Sequence, residues 1–225
     1  MKNIGICIPT IEGGVICHQE IGREASKRNL TFPEIVTHTL PLGDITAVAQ
    51  GGSLEALPAL LSGSINKLAI AGADFAVIPS NTVHLVINEV RLLTEIPVFS
   101  ILDVVAEHSG SKGYGSVGII GTSPTMEHRL YDPAFVRLGI RTAYPAEPSF
   151  SEIQRIIIDE LIYGVLNDAS IEFLNEIVAE LAQDVDAILL ACTELPLALS
   201  ESSATLPFID STRILARWAL AHSHS

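Results

Sequence analysis

Two short polar segments, each following an apolar run, hold the residues best suited to chemistry. Cys192-Thr193-Glu194 follows Ala187–Ala191, and Ser80-Asn81-Thr82 follows Phe75–Pro79. A free thiol ionises near pH 8.5, much closer to neutrality than a hydroxyl, so Cys192 is the better group for moving a proton at carbon. If the two positions addressed one carbon from opposite sides, one would remove its proton and the other would return one to the opposite face. Thr10 and Thr122 end two further apolar runs in the same manner. Hydroxyls and backbone amides at strand-end, helix-start positions hold a carboxylate without adding fixed positive charge.

The other reactive side chains have plainer readings. Cys7 lies within an apolar run and Cys17 within a helical stretch, where core packing explains both. Cys192 taken alone would read the same way. The seven histidines include no pair at helical ligand spacing with a carboxylate partner, so no metal is expected. His222 and His224, close to the C-terminus, are expected to be disordered. Thr10 and Gln50 read equally as ligands or as cap and loop residues, Glu12 as solvated, and Asp159-Glu160 as support for the fold.

The elements that must position these residues alternate along the chain. Lys2–Pro9 reads as a buried strand, with Gly13-Gly14 in a turn before a helix carrying Cys17 and His18. Leu54, Leu57, Leu60, Leu61, Ile65 and Leu68 recur at helical spacing, and Phe75–Pro79 and Val98–Leu102 read as strands. Ser116–Gly121 and Ala187–Ala191 are strands of the second half. Ile171, Leu174, Ile177, Val178 and Leu181 mark a helical face, and Leu206–Ile209 leads into a helix bearing Trp218. Gly5-Ile6 matches Gly118-Ile119 at an offset of 113 (118 minus 5), and Asp74 through Ser80 matches Asp186 through Cys192 at 112 (186 minus 74). Ile96–Phe99 matches Leu206–Ile209 at 110 (206 minus 96).

Three matches nearly in register predict two similar α/β halves with parallel sheets about a pseudo-twofold axis, rather than one continuous doubly wound sheet. The expected domains are 1–100 with 208–225, and 101–207. Ligands of parallel sheets bind beyond the carboxyl ends of strands, so a shared cleft flanked by Ser80 and Cys192 is the expected site.

Composition narrows the function classes. The chain has 225 residues, 48% hydrophobic and 17% charged, which suits a large buried core. A net charge of -13 opposes phosphate backbones, so no nucleic-acid partner is expected. No apolar run reaches the roughly 18 residues of a membrane span, and the start is too short and strand-like for a signal peptide. With three cysteines and no C-x-x-C spacing, a cytoplasmic protein with free thiols is expected. Leu85, Val86 or Trp218, if exposed, would permit the expected homodimer.

The polar segments also carry a family likeness. Ser80-Asn81-Thr82-Val83-His84 resembles the C-N-T-x-H motif of the aspartate/glutamate racemases, with serine in place of the first cysteine. Cys192-Thr193-Glu194-Leu195-Pro196 is similar to their C-T-E-L-P motif. Gly121-Thr122-Ser123-Pro124-Thr125-Met126, Asp159-Glu160-Leu161 with Gly164, and Leu206–Thr212 resemble further segments of that family. The resemblance implies two Rossmann-like domains, no cofactor, no metal, and racemisation of an amino acid by α-proton abstraction and return. It implies that Cys192 is one acid/base residue, that Ser80 stands opposite, and that Asn81, Thr82, Thr122, Thr125, Thr193 and Glu194 contact the substrate. It does not make His84 the base for Ser80.

The sequence departs from the pattern at several points. Ile8-Pro9-Thr10 replaces a Gly-Gly-Met loop, and Gly43-Asp44-Ile45 lacks the arginine of a D-x-R segment. Val165 replaces a lysine found in some members, while Gln50 resembles the glutamine of a subgroup selective for L-aspartate and L-glutamate. Ser80 corresponds either to a natural one-thiol enzyme, as the threonine of that subgroup would suggest, or to an introduced cysteine-to-serine change. The alternatives to a racemase are a single-cysteine, arylmalonate decarboxylase-like enzyme and a catalytically silent amino-acid-binding protein.

Overall fold

A computed structural model describes residues 1–41, 54–199 and 205–225. The first of two compact units comprises Met1–Val104 with Thr212–Ser225, and the second Val105–Ser211. The first contains strands β1 (Ile4–Ile8), β2 (Ile35–Thr39), β3 (Phe75–Val77) and β4 (Val98–Phe99). Their parallel order is β2-β1-β3-β4. The second contains β5 (Ser116–Gly121), β6 (Arg141–Ala143), β7 (Ala187–Ala191) and β8 (Phe208–Asp210), in the parallel order β6-β5-β7-β8. Two four-stranded sheets of one topology thus replace the alternative of a single continuous sheet.

The repeated aspartates explain part of the internal likeness. Asp74, just before β3, accepts the Asn3 amide at 2.6 Å with Oδ2. Asp186, just before β7, accepts the Gly115 and Ser116 amides at 2.8 and 2.9 Å, again with Oδ2. Each ties the start of one central strand to the start of its neighbour. These amide bonds hold the Asp186 carboxyl below its usual range.

Helix α1 (Ile11–Lys27) follows β1, and α2 (Leu57–Ile70) precedes β3. Leu57, Leu61, Ile65 and Leu68 of α2 are buried with Cys7, Ala76 and Ile78, so the helical spacing of those leucines does face the sheet. A 3-10 turn over Thr82–Val86 runs into α3 (Ile87–Leu92), and α4 (Ile101–Ser111) follows β4. The strand expected over Val98–Leu102 is therefore shorter. Ser100 ends it, accepting the Leu102 amide at 3.2 Å with Oγ and the Val104 amide at 3.1 Å with its carbonyl, as a helix cap does.

In the second unit α5 (Ser123–Glu127), α6 (Asp132–Val136), α7 (Pro148–Arg155), α8 (Asp168–Leu181) and α9 (Leu195–Ala198) connect the strands. The Asn167 side chain caps α8 through the Ala169 amide, and Leu174, Ile177, Val178 and Leu181 line the apolar cluster that includes Ile188 and Cys192. Helix α10 (Ser211–Ser223) follows β8. Its last turn includes His222, and His222 and His224 both make contacts with the rest of the unit, against the expectation that they are disordered. His222 stacks on Trp218 with centroids 4.7 Å apart, and His224 Nε2 lies 3.1 Å from the Thr31 carbonyl. Among the described residues no helix is long and apolar enough to cross a membrane.

Gly13 and Gly14 lie inside the first turn of α1 rather than in a turn before it. A Cβ on Gly14 would stand 2.6 Å from Ile8, so the glycine lets the helix begin directly against the end of β1. Gly14→Ala should lower stability by about 1–2 kcal/mol through overpacking. Gly63→Ala, in α2 with nothing within 4 Å of the added carbon, should instead gain up to about 1 kcal/mol. Urea midpoints of the two variants check the opposite signs; equal shifts would refute the close approach at Gly14.

Candidate active site

In each sheet the strand order reverses between its two central strands. In the first, Ile6 of β1 pairs with Val77 of β3, and the chain leaves their carboxyl ends through Thr10 and Ser80. In the second, Gly121 of β5 pairs with Ala191 of β7, and the next residues are Thr122 and Cys192. Carboxyl ends at such a reversal are where open parallel sheets bind ligands. A Cβ on Gly121 would meet the Ala191 carbonyl at 3.0 Å. The strands therefore approach closely where Thr122 and Cys192 emerge.

Cys192 is 8% exposed and its thiol donates to Glu194 Oε2 at 3.0 Å. The Thr193 hydroxyl donates to the same oxygen at 2.6 Å. Burial, then the Glu194 charge and its hydrogen bond, push the Cys192 thiol well above its ordinary range. The backbone bonds of Thr193 and Glu194 oppose that rise without cancelling it. Burial and the neighbouring charge thus favour the protonated thiol, with a proton acceptor already in contact. Thr122 and Thr125 are buried, and their hydroxyl oxygens are 3.0 Å apart. Cys7 and Cys17 are buried with pKa values raised to about 12, chiefly by desolvation, in keeping with packing roles.

The Ser80 segment is organised differently. Asn81 and Thr82 are buried, whereas Ser80 is half-buried. The Ser80 amide donates to the Ile78 carbonyl at 2.9 Å, and the Ser80 carbonyl lies 2.8 Å from His84 Nδ1. His84, 2% exposed, accepts the Ile101 amide at Nε2 across 3.3 Å. An amide N–H only donates, so Nε2 is the unprotonated nitrogen and Nδ1 carries the hydrogen given to Ser80. Both ring nitrogens are occupied by backbone groups, and desolvation lowers the imidazole pKa to about 4. The sequence placed His84 one turn beyond Ser80 but did not disclose this use; the i, i+4 spacing was its only signal.

Thr10 is the N-cap residue of α1, yet its side chain makes no capping bond. Gln50, like Gly43-Asp44-Ile45, lies outside the described residues. Glu12 is exposed, as expected of a solvated residue. Glu160 accepts Arg155 at 2.7 Å and Ser170 at 2.9 Å with Oε1, in keeping with its reading as support for the fold. Val86 is buried rather than available to a partner, and Trp218 packs among Phe75, Phe99 and His222. Among the described residues no group of three or more His, Cys, Asp or Glu side chains could hold a metal ion.

A family model described as Asp/Glu/Hydantoin racemase matches residues 4–219. The broad specificity amino-acid racemase RacX of Bacillus subtilis is 24% identical over 167 residues, covering 72% of this chain and 70% of its own. The crystal structure of a candidate Asp/Glu racemase from Yersinia pestis superposes with a TM-score of 0.90 at 26% identity, covering 100% of both chains. An aspartate racemase homologue from Pyrococcus horikoshii OT3 gives 0.85 at 26% identity, again covering 100% of both.

The buried imidazole makes a pH prediction. Its pKa is about 4 when folded against 6.5 as the ordinary value, so between these limits the unfolded chain binds the extra proton. This contribution to stability is complete above about pH 6.5 and is lost as pH falls toward 4, by about 3 kcal/mol in all. Urea unfolding across that range should show the slope in the native protein and not in His84→Asn. Parallel curves would refute the neutral, buried state.

Proposed function

The chain belongs to the Asp/Glu/Hydantoin racemase family, and from that premise we propose that it racemises aspartate, glutamate or a related amino acid without a cofactor. The observation that carries the reading is the contact of the Cys192 thiol with Glu194 at a strand-order reversal. Glu194 Oε2 accepts the proton from Cys192 Sγ. The resulting thiolate removes the α-proton of the enantiomer presented to it, re-forming the S–H bond.

The electron pair left on the α-carbon is delocalised into the α-carboxylate. Hydroxyls and amides at the strand ends, including Thr122, Thr125, Thr193, Asn81, Thr82 and Thr10, bind that carboxylate and stabilise its added charge. Ser80 is assigned to the other catalytic position: a water held at its hydroxyl gives a proton to the carbanion, and the hydroxide left behind takes up the Glu194 proton through solvent, which restores both residues. Gln50 is assigned to substrate binding on the same reading, and Glu194 also suits the substrate ammonium. The working form is proposed to be a homodimer in the cytoplasm, acting on a free amino acid without nucleic acid or membrane.

A hydroxyl is a far weaker acid than a thiol, so the Ser80 half of the cycle is expected to limit the rate. The single thiol at this strand end, donating its hydrogen to Glu194, also suits a second reading, in which the thiol protonates an enediolate formed when a substituted malonate loses carbon dioxide.

Cys192→Ala should lower solvent-deuterium incorporation at the α-carbon by about 10³-fold, and Ser80→Cys should raise net racemisation by about 10²-fold. Both enantiomers of aspartate, glutamate and neutral amino acids are the assay set. Near-normal exchange in Cys192→Ala would sink the assignment. Carbon dioxide release from substituted malonates, with no exchange in amino acids, would select the second reading.

A further inference from the structure

We propose that His84 is a positioning residue for Ser80, holding its peptide so that its side-chain hydroxyl is the group presented at the end of β3. The inference rests on the racemase reading for its catalytic consequence, but its geometry stands separately. The Ser80 N–H is given to the Ile78 carbonyl and the Ser80 C=O takes the His84 Nδ1 hydrogen. Both backbone polar groups of Ser80 are thereby fixed on either side of a half-buried side chain.

The imidazole is itself held. Its Nε2 takes the Ile101 amide at the first residue of α4, and its own amide donates to the Asn81 carbonyl at 2.9 Å. His84 therefore fastens the segment after β3 to the helix that begins after β4. Arg91 and Asp103 act on the ring with opposite signs, and Arg91 also pairs with Asp103 at 3.4 Å. With both nitrogens committed to backbone groups, the imidazole has no lone pair for the Ser80 hydroxyl. It serves by placement rather than as a base.

Displacing a reacting group by about 1 Å costs on the order of 10²-fold in rate. The loss should fall on the face served by Ser80, because the His84 ring bonds go to the Ser80 and Ile101 backbone while the Cys192 thiol is held by Glu194. A general loss of folding would lower both faces together.

Amide substitutions separate the two imidazole bonds. His84→Asn places a side-chain N–H donor near the position of Nδ1 and keeps the Ser80 carbonyl bond. His84→Gln places its amide near Nε2, keeps an acceptor for Ile101 and gives up the Ser80 bond. Deuterium incorporation is measured for each enantiomer, the Ser80 face being the one whose exchange is lost in Ser80→Ala.

His84→Gln should lower exchange on the Ser80 face by about 10²-fold and change the Cys192 face less than about threefold, with His84→Asn near native on both. Equal losses on both faces, or Asn and Gln variants that behave alike, would overturn the proposal. The Ser80 carbonyl carbon resonance is read in the same proteins. It should move in His84→Gln and hold in His84→Asn, and an unmoved resonance in His84→Gln also overturns the assignment. If the native protein exchanges no amino acid while the resonance behaves as stated, the racemase reading fails and the positioning of the Ser80 peptide stands.

Discussion

Parallel pairing of two central strands, with the chain departing in opposite directions across the sheet, is the constraint on which the rest depends. It places the first and third strands of each unit side by side with their carboxyl ends open. The helices that follow begin at that edge, so backbone amides and short polar side chains gather there. In the second unit Gly121 permits a close approach to Ala191, and Thr122 and Cys192 follow directly. Asp186 secures the other end of the same strand pair through three hydrogen bonds, to the Gly115 and Ser116 amides and the Ser116 hydroxyl. Asp74 repeats the arrangement in the first unit with the Asn3 amide.

Much of this was legible in the chain because it depends on patterns of period and position. Ser116–Gly121 and Ala187–Ala191 are continuous apolar runs, and both are strands over those same residues. The offsets near 112 reported a duplication that the two sheet orders express as topology. The misreadings have local causes. Gly13-Gly14 signals a turn by residue type, but here the missing side chain of Gly14 lets the helix pack against Ile8. Val98–Leu102 is uniformly apolar apart from Ser100, and one hydroxyl acting as a cap converts its second part to helix. Proximity to the terminus predicts disorder for the tail histidines, whereas aromatic stacking on Trp218 decides the state of His222.

The hydrogen bonds around these residues were less legible than the strand ends that carry them. Sequence identifies Cys192, Thr193 and Glu194 as neighbours but does not say that one carboxylate oxygen receives both the thiol and the hydroxyl. It sets His84 four residues after Ser80, which would equally suit a base, a cap or a core residue. The partner that decides is the Ile101 amide, 17 residues away, and its donor character fixes the tautomer. Such distinctions depend on directions of individual bonds, which composition and periodicity do not encode.

The two strand-end segments consequently share a position in the fold but manage protons differently. Around Cys192 a carboxylate touches the sulfur, so on the proposed reaction the proton has a place to go as the thiolate forms. That contact has a cost, because the same charge and the same burial keep the proton on sulfur at rest. Around Ser80 the histidine is neutral and directed to the backbone, so it supplies orientation without basicity. A thiol with an acceptor in one unit and a hydroxyl with only a scaffold in the other are unequal groups. On the proposed reaction, that inequality places the larger barrier at the Ser80 face, where neither an adjacent base nor an intrinsically acidic proton is provided.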